Sequence, residues 1–472
     1  MSGAEDWRDE EIMLLFGVLS IYLAGFVIRR AVFYKDSSIL SPAEKVGLDF
    51  GFGAGGLALL FFYISFAGAG LTRANMIGLA LISIVAAIAI KLHDLYRNRG
   101  KRWRAAQKEP VSKTGWMKIV VVIIIGMCVA VIFFKSLYYP MYEWMSRSIF
   151  GIKAKVLYES KSIYDKDLLD KEFVVEHPEY PLLIPMLEDW MYTCRNSSDD
   201  RFGKGFLPFL AVGFLCSIYA IQRKFCTQLH SLIFTALYAT LYTFVYRASC
   251  GEADAPLAFY YFLAGSYILL WIRFKIYPYL VSASLFTAIA MFSKLEASGF
   301  FAILSGCLAI SLFLDKGLGL KKKFTALCAY TIPVFAILIP WMMYKRLLPT
   351  TDVIFTAKDI FNPNVFNTIH ANSWRVMPIM NNFVFDVVLK TRKWDLFWVL
   401  FFVIQAFSLK ELFRKPVSYL AFMVWATLGT YLLMFITVYV EPAHMFVTMD
   451  RFALQVSGLA LLLMSLLARQ KI

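Results

Sequence analysis

Apolar residues in this chain fall in long, nearly unbroken runs separated by short polar punctuation, not in the period-two alternation of strands. A helix needs roughly 20 mainly apolar residues to cross a bilayer. Runs of that kind lie near 11–33, 48–69, 73–91, 117–136, 204–221, 229–247, 254–272, 279–293, 297–314, 324–345, 394–409, 417–438 and 451–468. The pattern predicts an all-α polytopic membrane protein with about thirteen transmembrane helices. The ten-residue alternating segments of an outer-membrane barrel are missing. The pairs 48–69/73–91 and 279–293/297–314 are the least separable.

Composition agrees and excludes most other classes. Of 472 residues, 59% are hydrophobic and 17% charged, which no soluble, disordered or disulfide-scaffold protein of this size accommodates. The net charge of +15 becomes informative once resolved by loop. With the N-terminus outside, the inner segments 29–49, 91–118, 223–224, 273–275, 315–323, 410–415 and the tail carry about +19, leaving about −4 outside. That bias predicts N-terminus out and C-terminus in. The basic run Arg97, Arg99, Lys101, Arg102, Arg104, Lys108 and Lys113 reads as a solvated inner loop, and no nucleic-acid partner is expected. Glu5, Asp6, Asp9, Glu10 and Glu11 precede the first run against a single Arg8, the opposite of a signal-peptide n-region. The seven cysteines show no CxxC or metal-finger spacing.

Polar residues concentrate in outer connections. Two are long, 137–203 and 346–393, and long ordered loops on a membrane scaffold carry function. In the first, Ile149, Ile152, Val156 and Leu157 have helical spacing beside Lys153 and Lys155, predicting an amphipathic interfacial helix. Pro181–Tyr192 predicts a second, with Pro178 and Pro181 making a rigid approach that presents His177 and Glu179. Arg247, Glu252 and Asp254 stand at one span start, Lys294 and Glu296 in another connection, and Glu441, His444, Asp450 and Arg451 in the last. Acidic and basic groups on one face suit a cavity that binds a lipid-linked anion and performs acid–base chemistry beside it.

Several segments carry a family resemblance. Trp144-Met145-Ser146-Arg147-Ser148-Ile149-Phe150, followed by Lys153-Ala154-Lys155, resembles the Trp-Asp-x-Arg-Ser-Ile-Trp segment of GT-C glycosyltransferases. These are polytopic enzymes related to protein O-mannosyltransferases and the lipid A aminoarabinose transferase. His177-Pro178-Glu179-Tyr180-Pro181 is similar to their His-Pro-Asp-Tyr-Pro segment. Ala253-Asp254-Ala255-Pro256-Leu257 is similar to their acidic span-opening motif, and Lys294-Leu295-Glu296 with Gly299 to a Lys-x-Glu-Gly element. His444, Thr448, Asp450 and Arg451 resemble a His-x3-Ser/Thr-x-Asp-Arg pattern. The resemblance spans roughly 117–468 and divides the chain into a three-span extension with its basic loop (1–116) and a catalytic core (117–472).

The resemblance implies inverting transfer of a sugar from a polyprenyl-phosphate donor, such as undecaprenyl phosphate, to a lipid, glycan or protein acceptor. It implies an active site at the outer face of the membrane; the acidic N-terminus, unlike a signal peptide, and the short connections predict a bacterial inner membrane and a role in the cell envelope. Arg451, His444, Lys294, Arg147 and Lys153 are the implied donor-phosphate ligands, and His177, Glu179, Tyr180 and Glu252 the sugar and acceptor pocket. Asp254 would orient the acceptor, bind a divalent metal or assist the base; the family contains metal-dependent and metal-independent members. One position departs from the pattern: Met145 stands where the family has its general-base Asp, and a thioether cannot take a hydroxyl proton. Engineered inactivation, natural loss of activity and relocation of the role to Glu143 stay open. Glu143 serves only if its stretch is extended, because two residues along a helix turn by about 200°, so a substitution at 145 is favoured. A non-catalytic lipid-linked-sugar binder and a lipid or glycan transporter or flippase are the alternatives from other classes.

Overall fold

The structure is a computed structural model describing residues 3–34, 37–97, 115–170, 177–349, 365–437 and 442–469. Most of the basic loop at 98–114 and the part of the second long loop at 350–364 lie outside the described residues. The described elements are all helical. The chain opens with α1 (Gly3–Val32), α2 (Pro42–Phe66), α3 (Arg73–Arg97) and α4 (Gly115–Tyr138). The first long loop holds a π-helical turn at Ser146–Gly151, then α5 (Ile152–Ser160), α6 (Lys166–Leu169), α7 (Leu183–Arg195) and α8 (Asp200–Gly203). Next come α9 (Leu207–Arg223), α10 (Gln228–Ala239), α11 (Tyr242–Arg247), α12 (Asp254–Phe274), α13 (Tyr277–Met291), α14 (Ala297–Leu314) and α15 (Leu320–Tyr344). Short helical turns between Val365 and Trp394 lead to α16 (Phe397–Phe407), α17 (Val417–Thr437) and α18 (Pro442–Arg469).

Ten of the described helices are long and apolar enough to cross a membrane, so the protein is a polytopic integral membrane protein. The other three predicted runs are helical but differ from full spans. At 15 residues, α13 extends only about 22 Å, against a hydrocarbon core of roughly 30 Å. The helix α16 is shorter still, at 11 residues. The run 229–247 breaks between α10 and α11, where Leu241 takes ψ 119° and ends the helical path. Apolarity cannot report such a break, because the freed backbone groups find partners within the protein. Thr240 donates its hydroxyl to the Leu237 carbonyl there, at 3.1 Å.

The centre of the bundle is α12, buried at every position from Asp254 to Trp271. It packs against α9, α13 and α18. The loop helix α7 is buried from Leu183 through Cys194, held against α1, α2 and α5, so it sits within protein and not along a headgroup surface. The crossing of α1 and α2 depends on two glycines. A Cβ on Gly25 would meet the Asp49 carbonyl oxygen at 1.6 Å, and one on Gly53 the Ile21 carbonyl oxygen at 1.8 Å. Small residues let helix backbones touch in this way.

The segments predicted to face inward meet at one end of the bundle. Lys224 after α9 pairs with Glu44 at the start of α2 at 2.8 Å. The Tyr267 hydroxyl near the end of α12 donates to the same carboxylate at 2.9 Å. Arg30 pairs with Asp94 at 2.7 Å and Lys275 with Asp315 at 3.0 Å. Replacing Gly25 by Val forces the α1–α2 backbones apart and lowers stability by about 3 kcal/mol, the upper range for overpacking. Gly126→Val, at a position with nothing within 4 Å, changes little. Thermal unfolding midpoints of both variants in one detergent check this.

Candidate functional site

At the opposite end of α12 its first residue, Asp254, is fully buried and collects three donors. Lys294, in the turn after α13, donates to Oδ1 at 2.9 Å. Arg451 of α18 donates Nε to Oδ2 at 2.7 Å, and Gln455, one turn further along, donates to Oδ1 at 2.8 Å. A carboxylate taken out of water is tolerated only with this degree of pairing and hydrogen bonding. Lys294 is itself shared with Glu296, 3.1 Å away. Gln455 accepts in turn from the Tyr431 hydroxyl of α17 at 2.6 Å. Three connections far apart in sequence are thereby locked together.

Arg451 extends beyond this lock. Its Nη1 contacts the Met145 sulfur, and Glu252 and Tyr180 lie within its electrostatic reach. Position 145 therefore faces the guanidinium directly. Residues 139–143 are not helical, since α4 ends at Tyr138 and regular helix resumes at Trp144. Glu143 falls in the bend just before that helix, its carbonyl accepting from the Arg147 N–H at 3.1 Å and from the Ser146 hydroxyl at 2.8 Å. It accepts from the Tyr246 hydroxyl and lies in the field of Arg247, Arg451, Arg147 and Glu252. Burial, reinforced by the Glu252 carboxylate, pushes its pKa above the usual glutamate value. Arg247 pairs with Glu252, which is 1% exposed.

The other sequence-predicted residues take varied places. Lys153 is buried and its ammonium donates to the carbonyls of His177, Pro178 and Tyr180 at 2.6, 3.2 and 3.3 Å. It staples the 177–180 turn and is held away from any headgroup; burial, partly opposed by Glu179, lowers its pKa to about 7. In that turn His177 has φ 52°, its ring stacks on Tyr180 at 4.8 Å, and Nδ1 lies 3.4 Å from the Glu179 carboxylate. Arg147 is exposed. His444 falls at the start of α18, outside the residues whose side chains are described. Asp450 pairs with Lys393 and accepts from the Trp394 indole at 3.1 Å, tying the second long loop to α18.

Gln455, Tyr431 and Tyr246 were not singled out from sequence. Gln455 had a signal: it is a polar residue inside an apolar run, four positions after Arg451 and hence on the same helix face. The tyrosines had none. Among the described residues no three His, Cys, Asp or Glu side chains are grouped to share a metal ion. Beside the cluster, an apolar cavity of about 220 Å³ lies between α17, α18 and the 376–388 helices, lined by Phe383, Tyr431, Phe435, Phe452 and Ala453. The last two directly follow Arg451.

No family model and no curated protein matches the chain. Among solved structures the chain is similar to an oligosaccharyltransferase from Archaeoglobus fulgidus, in complex with Zn and sulfate. The two share 10% identity with a TM-score of 0.40, over 72% of this chain and 48% of that one. The chain thus spans about half the length of that structure.

Removing Asp254 leaves two buried cations facing one another. Asp254→Ala lowers stability by about 3–5 kcal/mol, the usual cost of stranding a buried charge. Adding Lys294→Met recovers part of the loss. Unfolding midpoints of the single and double variants check both statements.

Proposed function

We propose that this protein is a membrane glycosyltransferase that moves a sugar from a polyprenyl-phosphate donor to the hydroxyl of a lipid, glycan or protein acceptor. The observation that carries this reading is Arg451: a buried guanidinium, fixed by Asp254, whose outer nitrogen contacts Met145 and whose charge reaches Glu143. A fixed cation beside a carboxylate matches a displacement in which one group gains negative charge while another gives up a proton. The neighbouring apolar cavity suits the first isoprene units of the donor.

In the proposed reaction Glu143 accepts the acceptor's hydroxyl proton as its oxygen bonds to the anomeric carbon. The bond from that carbon to the phosphate oxygen breaks, and polyprenyl phosphate leaves with its electron pair beside Arg451, inverting the centre. Asp254, Lys294 and Gln455 are positioning residues, because their polar atoms are spent on one another. This reading assigns His177, Glu179, Tyr180 and Glu252 to the sugar pocket. The raised pKa of Glu143 supports its use as base in preference to an ordinary surface carboxylate. We place the active face opposite the basic end, outside a bacterial inner membrane, with the N-terminus on that side. The three-span extension 1–116 and the core 117–472 are proposed as its two parts.

Met145 against Arg451 favours one second reading, a relative that binds lipid-linked sugar without transferring it. Transfer from a labelled polyprenyl-phosphate sugar separates them. The expected result is turnover by the native chain and a loss of about 10²–10⁴-fold in Glu143→Gln, the usual worth of a general base. Turnover seen only in Met145→Asp supports the lost-base reading, and the absence of donor binding in every form sinks the glycosyltransferase assignment.

The pH profile follows from the direction of the Glu143 shift. A base works only when deprotonated, so kcat falls as pH drops through the raised Glu143 pKa, above the ordinary glutamate range. The residual rate of Glu143→Gln lacks that acidic limb. Rate against pH for both forms measures it.

A further inference from the structure

Another cavity, charged at one side and apolar at the other, lies at the basic end of the bundle, outside the proposed active site. It has a volume of about 460 Å³ and is enclosed by α1, α2 and α3. Arg29, Lys45 and Lys91 line it with Asp49, and Arg30 stands one residue from Arg29. The charges here do not cancel. Arg29 is 4% exposed and held by Asp49 through two hydrogen bonds, from Nε at 2.5 Å and Nη2 at 3.1 Å. Arg30 is paired with Asp94. Lys45 and Lys91 form no ion pair with a carboxylate among the described residues. Two ammonium groups thus face a cavity whose guanidinium is already oriented.

The rest of the lining is apolar: Leu23, Phe26, Val46, Ala87, Ile88 and Leu92. Lys91 lies 5.2 Å from the Phe26 ring centre, with its ammonium over the ring. On the α3 side Ile88 is 52% exposed and Leu92 61%, so the cavity opens along an apolar flank. Such exposure on a membrane helix faces lipid tails. Lys and Arg held between helix ends at the membrane surface match the geometry by which membrane proteins take anionic headgroups.

We propose that this cavity binds the phosphate headgroup of an anionic membrane lipid, with its acyl chains lying along Ile88 and Leu92 of α3. Lys45 and Lys91 supply the unspent charge, while the Arg29–Asp49 pair shapes the floor. A phosphate carried by a soluble ester meets the same cations, but makes no use of the apolar side wall. The site is independent of sugar transfer and stands or fails separately from it.

The full chain is reconstituted in nanodiscs of phosphatidylcholine alone or mixed with phosphatidylglycerol, and retained lipids are counted by native mass spectrometry. The native protein is expected to keep phosphatidylglycerol in preference to phosphatidylcholine. Lys45→Gln with Lys91→Gln reduces that retention about tenfold or more. Lys45→Arg with Lys91→Arg preserves it. The unfolding midpoint in pure phosphatidylcholine reports whether each variant is folded. Equal retention in the Gln pair, or no preference for the anionic lipid, overturns the proposal. Displacement of the lipid by inorganic phosphate or glycerol 3-phosphate overturns the lipid source in favour of a soluble phosphate ester.

Discussion

The Asp254 carboxylate, without exposed surface at the head of the central helix, governs the arrangement around it. In a low-dielectric interior such a charge demands opposite charge and donors, and Lys294, Arg451 and Gln455 supply them. Lys294 comes from the turn after α13, and Arg451 and Gln455 from successive turns of α18. Satisfying one carboxylate therefore fixes the start of α12, the turn after α13 and the upper part of α18. Arg451 gains from this what a flexible surface arginine lacks. One nitrogen is anchored and another is presented to the loop carrying Glu143 and Met145.

The same economy of charge operates at the far end of the bundle, with a different outcome. Glu44 and Asp49 on α2 neutralise Lys224 and Arg29 and dock α2 onto the core. The number of cations there exceeds the number of carboxylates, and the remainder faces the membrane surface. One end thus spends its charges on internal geometry around Arg451, and the other leaves Lys45 and Lys91 without a carboxylate partner among the described residues. The distance between them is set by the length of α12, 21 residues or about 31 Å.

Several parts of the candidate site were legible because polar residues are costly inside apolar runs and stand out there. Asp254, Lys294 and Arg451 could be picked as exceptions to the hydrophobic pattern. Lys153 could be picked on the same ground, but its role reads differently in the structure. Its ammonium is turned inward onto three backbone carbonyls, and no linear pattern distinguishes a lysine that meets a ligand from one that braces a turn. Glu143 is the converse case. The role proposed for it depends on whether residues 139–143 are helical, and Pro140 alone gives only a weak local indication of that.

By itself, the sequence determined that the chain is helical, that it crosses a membrane many times and that its basic loops belong together. These properties follow from the length of apolar runs and the sum of charges, both one-dimensional quantities. The tertiary structure decided which runs fall short of a span, where the 229–247 run breaks, and that α7 is enclosed by protein. It also decided that Arg451, Asp254 and Lys294 share one lock and that position 145 faces the guanidinium. Those outcomes depend on contacts between residues up to 306 positions apart. Burial and pairing in three dimensions set their energies, and the order of residues along the chain leaves such distances open.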